Sequence, residues 1–465
     1  MPEGVGYLAI AAIGEETTVN VPVNATQRLR ELEFDMDSEY SVLMDESLQG
    51  DLGRTTPELG VLDLAGTWRC YNTYTLSNLL LKHFFGSLSG GVYTFIDNLV
   101  GKSLTWAIDK TVSVWELSGI KINELTLSWD SDGVYLDGTC LAQGISYHSL
   151  TYTATTISAD SNDSSINDSA NGFPAFNVGD KITISGFTGG GPNGVGYVAS
   201  RTAAKIILSG ISVTTDAAGE SVTINGAQNT AAELAGLLPN TARRMKIAPD
   251  LRIRLGVGTA ALTGANDIFA GEGSITFTRP MATTHTNGTR TIFEPSPDNF
   301  FEGTMDLTLT RYNTNQFQIW RAARTRLALE IFFKEEVIVS PRTQTWTIPN
   351  LILRATPSPV SGPGFIPLSL TGDISIGQDT YGPVTTISFS TTDDSINDSA
   401  NGLMFLYPGA KVFVAGAADA ANNGVHTVLT STASKITVST NLTTAVAGAS
   451  ITLVGKNPLC RVVEA

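Results

Sequence analysis

The sequence predicts a mainly β protein with two β-sandwich or barrel domains, each with a flanking helix and each followed by a small β-sandwich module. Composition is the first reason, since charged residues make up only 16% of the 465 residues and glycine occurs 45 times. This composition favours short strands joined by tight turns. The second reason is the alternation of apolar and polar residues in short runs, and the third is an internal duplication.

An octapeptide makes the duplication visible. Ser-Ile-Asn-Asp-Ser-Ala-Asn-Gly occupies residues 165–172 and recurs, letter for letter, at residues 395–402. Farther upstream, Trp115 and Trp346 stand nearly the same interval apart, each at the start of a similar apolar run. This interval is about half the chain, which indicates that the whole chain is duplicated rather than the small modules alone.

The repeat divides the chain into four parts and a tail. The expected bounds are 1–154 for the first large domain, 155–228 for the first module, 229–384 for the second large domain, 385–456 for the second module and 457–465 for the C-terminal tail. Each module reads as a self-contained unit. We therefore expect truncation after about Gln378 to leave assembly intact.

Local patterns predict individual elements of these parts. Alternating residues predict strands of the first module at 181–185, 205–209 and 221–224. The Asn193-Gly194 pair indicates a turn, and a glycine in the motif is expected to mark a left-handed turn. Apolar spacing predicts one helix in each large domain, at 76–83 and 316–323.

Several functional classes are disfavoured by the residue inventory. The formal net charge of -15 gives no cationic footprint for binding phosphate backbones. Cys70, Cys140 and Cys460 form no CxxC pair, and the four histidines are isolated, so neither a disulfide framework nor a metal site is predicted. Glycine-rich phosphate loops and nucleophile elbows are also missing from the sequence. We expect no enzymatic activity, no catalytic residues and no cofactor.

An acidic strand stands out near the N-terminus. In Glu-Leu-Glu-Phe-Asp-Met-Asp-Ser-Glu-Tyr, a strand would place the carboxylates on one face and the apolar residues on the other. The acids of this face are Glu31, Glu33, Asp35, Asp37 and Glu39. Three interpretations stay open: a solvated strand face, an acidic wall lining an aqueous channel, and a calcium site formed by the last three acids. The twelve-residue spacing of an EF-hand is not present.

The stretch that follows the acidic strand, residues 45–57, carries two glycines, a proline and several charges. It reads as a long loop or β-arm that could become ordered on contact with a neighbouring molecule. Its charged residues include Asp45, Glu46, Asp51 and Arg54.

These features together resemble the tail tube proteins of long-tailed, siphovirus-like bacteriophages. In the first large domain the resemblance rests on an acidic strand, a long loop with Gly and Pro, and a Gly-Thr-Trp strand at 66–68 that leads into the apolar segment 79–85. The small modules resemble β-domains attached to such proteins. Their matching residues lie at 178–180, 185–187 and 193–194.

The resemblance implies a structural virion protein whose β-sandwich domains form rings that stack into a tube for DNA delivery. Most members carry one tube domain and form hexamers, so a duplicated chain would form a homotrimeric, pseudo-hexameric ring. The acidic strand would face the lumen, and Asp45, Glu46, Asp51 and Arg54 would lie in an inter-ring loop. The second domain has the neutral run Ser274–Thr278 where the acidic strand would be expected to recur.

The resemblance also implies the protein's surroundings. Partners would be further copies of the chain, a tape measure protein, and tail terminator and distal tail proteins, with viral DNA passing without specific binding. Assembly would take place in the host cytoplasm and the final location would be the virion, without a membrane partner. The alternative is a virion surface adhesin or receptor-binding protein with tandem β-domains, which would account for the small modules but not for the two helix-bearing domains.

Overall fold

The computed structural model is 53% strand and 6% helix, which confirms the mainly β class. It describes the following residues: 9–43, 58–75, 78–95, 99–111, 113–146, 151–174, 176, 181–226, 229, 231–238, 242–257, 262–284, 292–311, 314–336, 340–358, 366–403 and 406–465. Within this part, no helix is long and apolar enough to cross a membrane.

The described residues of the first large unit form ten strands and one helix. In chain order these are β1 Ile10–Glu15, β2 Gln27–Arg28, β3 Glu31–Leu43, β4 Glu58–Tyr71, α1 Leu79–Phe85, β5 Gly86–Ser89, β6 Val92–Phe95, β7 Leu104–Asp109, β8 Val114–Asp130, β9 Gly133–Leu141 and β10 Gly144–Ser146. The helix begins at the Asn78 side chain, which accepts a hydrogen bond from Leu80 N, and ends at Gly86, whose φ is 90°.

A small module and the second large unit follow. The module contains β11 Thr151–Ala154, β12 Ile157–Asp160, β13 Ser165–Asp168, β14 Lys181–Ser185, β15 Gly194–Arg201, β16 Lys205–Ser209 and β17 Val222–Asn225. After α2 (Ala231–Gly236), the second unit contains β18 Leu251–Val257, β19 Asp267–Ile268, β20 Ala270–Thr278, β21 Met281–Ala282, β22 Ser296–Pro297, β23 Glu302–Leu309, α3 Gln316–Ala322, β24 Arg326–Lys334, β25 Thr343–Ala355 and β26 Leu368–Ile374.

The second module and a final strand complete the chain. They contain β27 Gln378–Val384, β28 Ile387–Ser390, β29 Ser395–Asp398, β30 Lys411–Ala415, β31 Gly424–Ser431, β32 Lys435–Val438, β33 Ile451–Lys456 and β34 Arg461–Glu464. The helices and module strands predicted from local patterns are therefore confirmed, with small shifts at their ends.

The two large units share one strand topology. In the first, the pairing runs β2-β1-β7-β8-β9-β4-β3, and in the second it runs β19-β18-β24-β25-β26-β23-β20. Even the bulges correspond: β3 shifts register between Glu31 and Glu33, and β20 shifts between Ala270 and Glu272. This agreement extends the duplication from the modules to the large units.

The two units are joined edge to edge. Strand β20 of the second unit pairs antiparallel with the C-terminal half of β8 in the first, where Ile275 lies opposite Leu127. A single hydrophobic cluster contains residues of both units, including Trp68, Leu127 and Ile275. We call the β8–β20 pairing the inter-unit seam.

The C-terminal tail is a structural strand. Strand β34 pairs with β25 of the second unit on one side and with β6 of the first unit on the other. Within it, Glu464 accepts a hydrogen bond of 2.7 Å from Tyr93 Oη. Truncation after about Gln378 would remove this strand together with the second module, so such a truncation does not test the module alone.

Both small modules form seven-stranded sheets of the same order, β11-β17-β14-β15-β16-β13-β12 and β27-β33-β30-β31-β32-β29-β28. Their sheets include 151–154 and 378–384, which precede the predicted module bounds. The ends of each module lie close together: Ser146 Oγ donates to Gly226 O at 2.9 Å, and Asn457 N donates to Gly377 O at 3.0 Å. Each module is therefore connected to its large unit through adjacent points.

The octapeptide forms a turn built around a buried aspartate. Asp168 accepts hydrogen bonds from Tyr152 Oη at 2.6 Å and from the backbone N of Ala170 and Gly172 at 3.0 and 2.7 Å. The left-handed residue of this turn is Asn171, with φ 55°, one residue before the glycine. Elsewhere in the module, Gly186 and Gly194 have positive φ values of 106° and 131°. Glycine is needed because a Cβ at position 172 would lie 2.2 Å from the tyrosine oxygen. The second copy repeats this turn.

Candidate functional site

The described part of the acidic strand has the predicted alternation. Glu33 and Asp35 are exposed, Phe34 is half-buried, and Met36 is buried in the core. The side chains of the remaining predicted acids, Glu31, Asp37 and Glu39, lie outside the described part of the structure, as do Asp45, Glu46, Asp51 and Arg54. The channel-wall, solvated-face and calcium interpretations all remain hypotheses at these positions.

The exposed acids belong to a sheet face that crosses both large units. Residues directly opposite each other on paired strands lie on the same face, so a row of partners can be followed from strand to strand. One such row crosses seven strands through Glu33, Arg69, Asp137, Thr126, Thr276, Thr304 and Asp373. We call the sheet face that contains this row the polar face.

Hydroxyl and carboxylate side chains dominate the polar face. Its acids are Glu33, Asp35, Asp63, Glu124, Asp130, Asp137, Glu272, Glu302, Asp306 and Asp373. Among its described positions that are not buried, the basic residues are Arg69, Arg326 and Arg354. Carboxylates therefore outnumber cations severalfold, on the side of the sheet opposite the shared hydrophobic core.

The polar face continues without interruption across the inter-unit seam. Thr126 Oγ1 and Thr276 Oγ1 are 2.8 Å apart, one on each side of the seam. Nearby, Thr278 Oγ1 donates to Glu124 Oε2 at 3.4 Å, again from one unit to the other. The two units thus present one surface rather than two separate patches.

One part of the polar face is a compact charged network. Arg69 Nε lies 3.1 Å from Asp137 Oδ1, and its guanidinium carbon lies 4.1 Å from the Tyr135 ring centre. Burial raises the pKa of Asp137, whereas a hydrogen bond from Ser128 and the Arg69 charge lower it. The Glu33 carboxylate contributes a further raising effect, because it is another negative charge on the same face.

Strand registers identify the counterparts of the acidic strand in the second unit. Through the matching bulges, Glu33 corresponds to Glu272 and Asp35 to Ser274. The second copy of the strand is therefore largely neutral, as the sequence indicated. Its neighbours restore negative charge, since Glu302, Asp306 and Asp373 lie on the adjoining strands. Sequence reasoning missed these acids because strand pairing, rather than local spacing, brings them onto this face.

The cysteines and the described histidines are all buried. No disulfide joins Cys70, Cys140 and Cys460. His83 is buried, and His426 is held by Thr440 Oγ1 and by Asn422 O at 3.1 Å. In the described ranges, no group of three or more His, Cys, Asp or Glu side chains is arranged to hold a metal ion.

Comparisons with known proteins give no match: neither the protein-family models nor the curated proteins contain one for this chain.

Proposed function

We propose that this protein is a structural subunit of a bacteriophage tail tube, in which the polar face lines the channel through which DNA passes. Each large unit serves as one β-sandwich tube domain in this proposal. Three chains then supply six tube domains to a pseudo-hexameric ring, and rings stack into the tube.

The observation that carries the proposal is the polar face itself. Two units of the same topology are joined at the inter-unit seam through non-equivalent strands, β20 of one and β8 of the other, and one acid-rich surface runs across both. Repeated units joined head to tail make a heterologous contact, and such contacts generate rings when the rotation closes. A face shared by consecutive units would become the continuous inner wall of that ring.

The chemistry of the polar face suits the passage of DNA. Duplex DNA carries one negative charge per about 1.7 Å of axis and binds Lys- or Arg-rich surfaces by releasing counterions. A wall rich in carboxylates and hydroxyls repels the phosphates and offers no such gain. At physiological salt the Debye length is about 8 Å, so this repulsion acts close to the wall and keeps DNA from adhering.

The small modules fit the outside of such a tube. Each is attached to its large unit through two adjacent chain points, as the contacts Ser146–Gly226 and Gly377–Asn457 indicate. A module attached in this way can project from a wall without contributing strands to it. The tape measure, terminator and distal tail proteins would be the partners of the assembled tube.

Native mass spectrometry combined with negative-stain microscopy tests the proposal. The purified protein is expected to form rings or tubes whose smallest closed species contains three chains. Rings of six full-length chains would contradict the pseudo-hexameric arrangement. Monomeric rods at high protein concentration would contradict the tube proposal and favour a surface adhesin.

A further inference from the structure

We infer that a second copy of this chain docks by adding its strand β3 to the open edge formed by β25 and the residues after it. The inference deepens the proposed function and rests on it for the identity of the partner. It goes further by assigning the two strand edges that meet, together with their register.

The inter-unit seam supplies the template. In the seam, β20 adds to the C-terminal half of β8. Strand β3 is the counterpart of β20, and β25 is the counterpart of β8, as the shared topology and bulges establish. Within the chain, β20 pairs with β8. The equivalent pairing of β3 with β25 requires β3 from one molecule and β25 from another.

Beyond Ile352, no described strand pairs with the outer edge of β25 and the residues after it. Ser369 N donates to Pro357 O at 3.0 Å, so Pro357 directs its backbone towards β26. Backbone groups of successive strand residues point to opposite sides, so Thr356 and Ser358 direct theirs to the outer edge. The proline therefore removes no donor from the edge where a new strand would add.

Strand β3 presents the complementary set of backbone groups. Ala142 N donates to Leu64 O at 3.0 Å, which places the backbone of Leu64 on the β9 side of β4. Ala65 therefore faces β3, and its partner Asp37 faces β4. It follows that Met36 and Ser38 direct their backbone groups away from β4, towards the free edge.

The inter-unit seam shows the same alternation of backbone groups. Arg279 N donates to Asn123 O at 2.7 Å, so odd-numbered residues of β20 direct their backbone groups towards β8. Their counterparts in β3 are the even-numbered residues identified above. If the docked β3 has the same register as β20 in the seam, Ser38 lies opposite Thr356 and Glu39 lies opposite Ala355.

The two helices supply an independent observation. Helix α1 packs on β8, and five of its residues are buried. The chain leaving β20 covers it: Arg279 donates to Phe84 O at 3.0 Å and lies 4.3 Å from the Phe301 ring centre. Helix α3 packs on β25 but buries only Phe317, and Ile319 is 50% exposed. A docked β3 would end over α3, as β20 ends over α1.

Engineered disulfides test the edge and its register. Glu39 and Ala355 are expected to form a non-hydrogen-bonded pair with Cα atoms about 4.5 Å apart, within disulfide reach. The E39C/A355C chain should form covalent dimers and trimers after mild oxidation. The control D35C/A355C displaces one thiol by four residues, about 13 Å along a strand. It should give at least tenfold less crosslinked product. The native cysteines are buried, so background crosslinking should be low.

The outcomes separate this inference from the proposed function. Rings in which E39C/A355C crosslinks no more than the control would overturn the assigned edge while leaving the tube proposal standing. Crosslinked oligomers that never close into rings would support the edge and count against the tube. A chain that stays monomeric without crosslinks would overturn both.

A second pair of variants tests the helix contact. Ile319→Asp should reduce assembly at least tenfold while leaving the monomer folded, because it places a charge where the second copy would pack. Val446→Asp is the matched control, since Val446 is 89% exposed in the second module. Equal assembly of I319D and the control would contradict the predicted cover over α3.

Discussion

Gly273 of β20 lies directly opposite Trp129 of β8, and the indole occupies the space where a side chain would be. A Cβ at position 273 would stand 2.6 Å from Trp129 Cζ2 and 2.8 Å from Leu307 Cδ2. The inter-unit seam therefore depends on a glycine that lets a large aromatic residue of one unit pack across a strand of the other.

Gly273→Ala should destabilise the joined units. Both neighbours that would clash are packed in the core, so the expected loss is about 1–3 kcal/mol of unfolding free energy. Gly271→Ala is the matched control, because its nearest contact would be Thr310 Cγ2 at 3.3 Å. Urea denaturation of the two variants measures the difference. Equal stability would mean that the seam is looser than the described packing.

A buried ion pair also joins the units. Lys121 of β8 is fully buried, donates to Leu99 O at 2.9 Å and pairs with Glu294 of the second unit. Burial lowers the pKa of Lys121, and the Glu294 carboxylate opposes that shift.

Glu294→Gln should therefore destabilise the protein by about 2–4 kcal/mol, because it leaves a buried ammonium without its counter-charge. Adding Lys121→Met to that variant should recover most of the loss, since the uncompensated charge is then removed. Chemical denaturation of the single and double variants checks both expectations. A double variant no more stable than E294Q would show that the lysine is not the source of the loss.

His83 predicts a particular pH dependence. Burial, with contributions from the Lys121, Arg279 and Lys102 charges, lowers the pKa of His83 to about 3 from 6.5. Between about pH 6.5 and pH 3, the unfolded chain takes up a proton at His83 and the folded chain does not. The stability contributed by the neutral histidine is thus complete above about pH 6.5 and declines as the pH falls towards 3.

Unfolding free energy measured between pH 7 and pH 4 should consequently fall more steeply for the natural chain than for His83→Gln, which cannot take up this proton. Parallel pH profiles for the two chains would argue that His83 is protonated, or reaches solvent, in the folded protein.

The position of β34 makes two deletions of nearly the same size give different results. Excising 378–456 and joining Gly377 to Asn457 through a short linker should preserve assembly, because these residues are already hydrogen-bonded neighbours. Truncation after Gly377 removes the same module together with β34, which bridges β25 and β6. That chain should be markedly less stable and should not assemble. Native gel analysis distinguishes the two, and failure of both would place the second module in the tube wall.

Local sequence patterns predicted much of the secondary structure but not how its pieces meet. Alternation identified the exposed side chains of Glu33 and Asp35, and the repeated tryptophans, Trp115 and Trp346, marked corresponding strands. Pairing between strand edges does not follow from periodicity, because either edge of a strand can accept a partner. The contact between Thr126 and Thr276, 150 residues apart, therefore could not be foreseen.

The tail and the octapeptide illustrate the same limit. The segment 457–465 has too few residues to display a pattern, and its role comes entirely from the two strands between which β34 lies. The need for glycine at position 172 comes from the approach of Tyr152, a residue outside the octapeptide. In both cases a contact distant in sequence decides the local structure.

The location of the polar face in the assembled particle decides whether this face lines a channel. Cryo-electron microscopy of the assembled protein, at a resolution that traces β-strands, would locate Glu33, Asp137 and Asp306 relative to the ring axis. We expect all three residues to face a continuous central channel and the small modules to lie on the outside. A ring with these residues on its outer surface, or an assembly without a channel, would contradict this expectation.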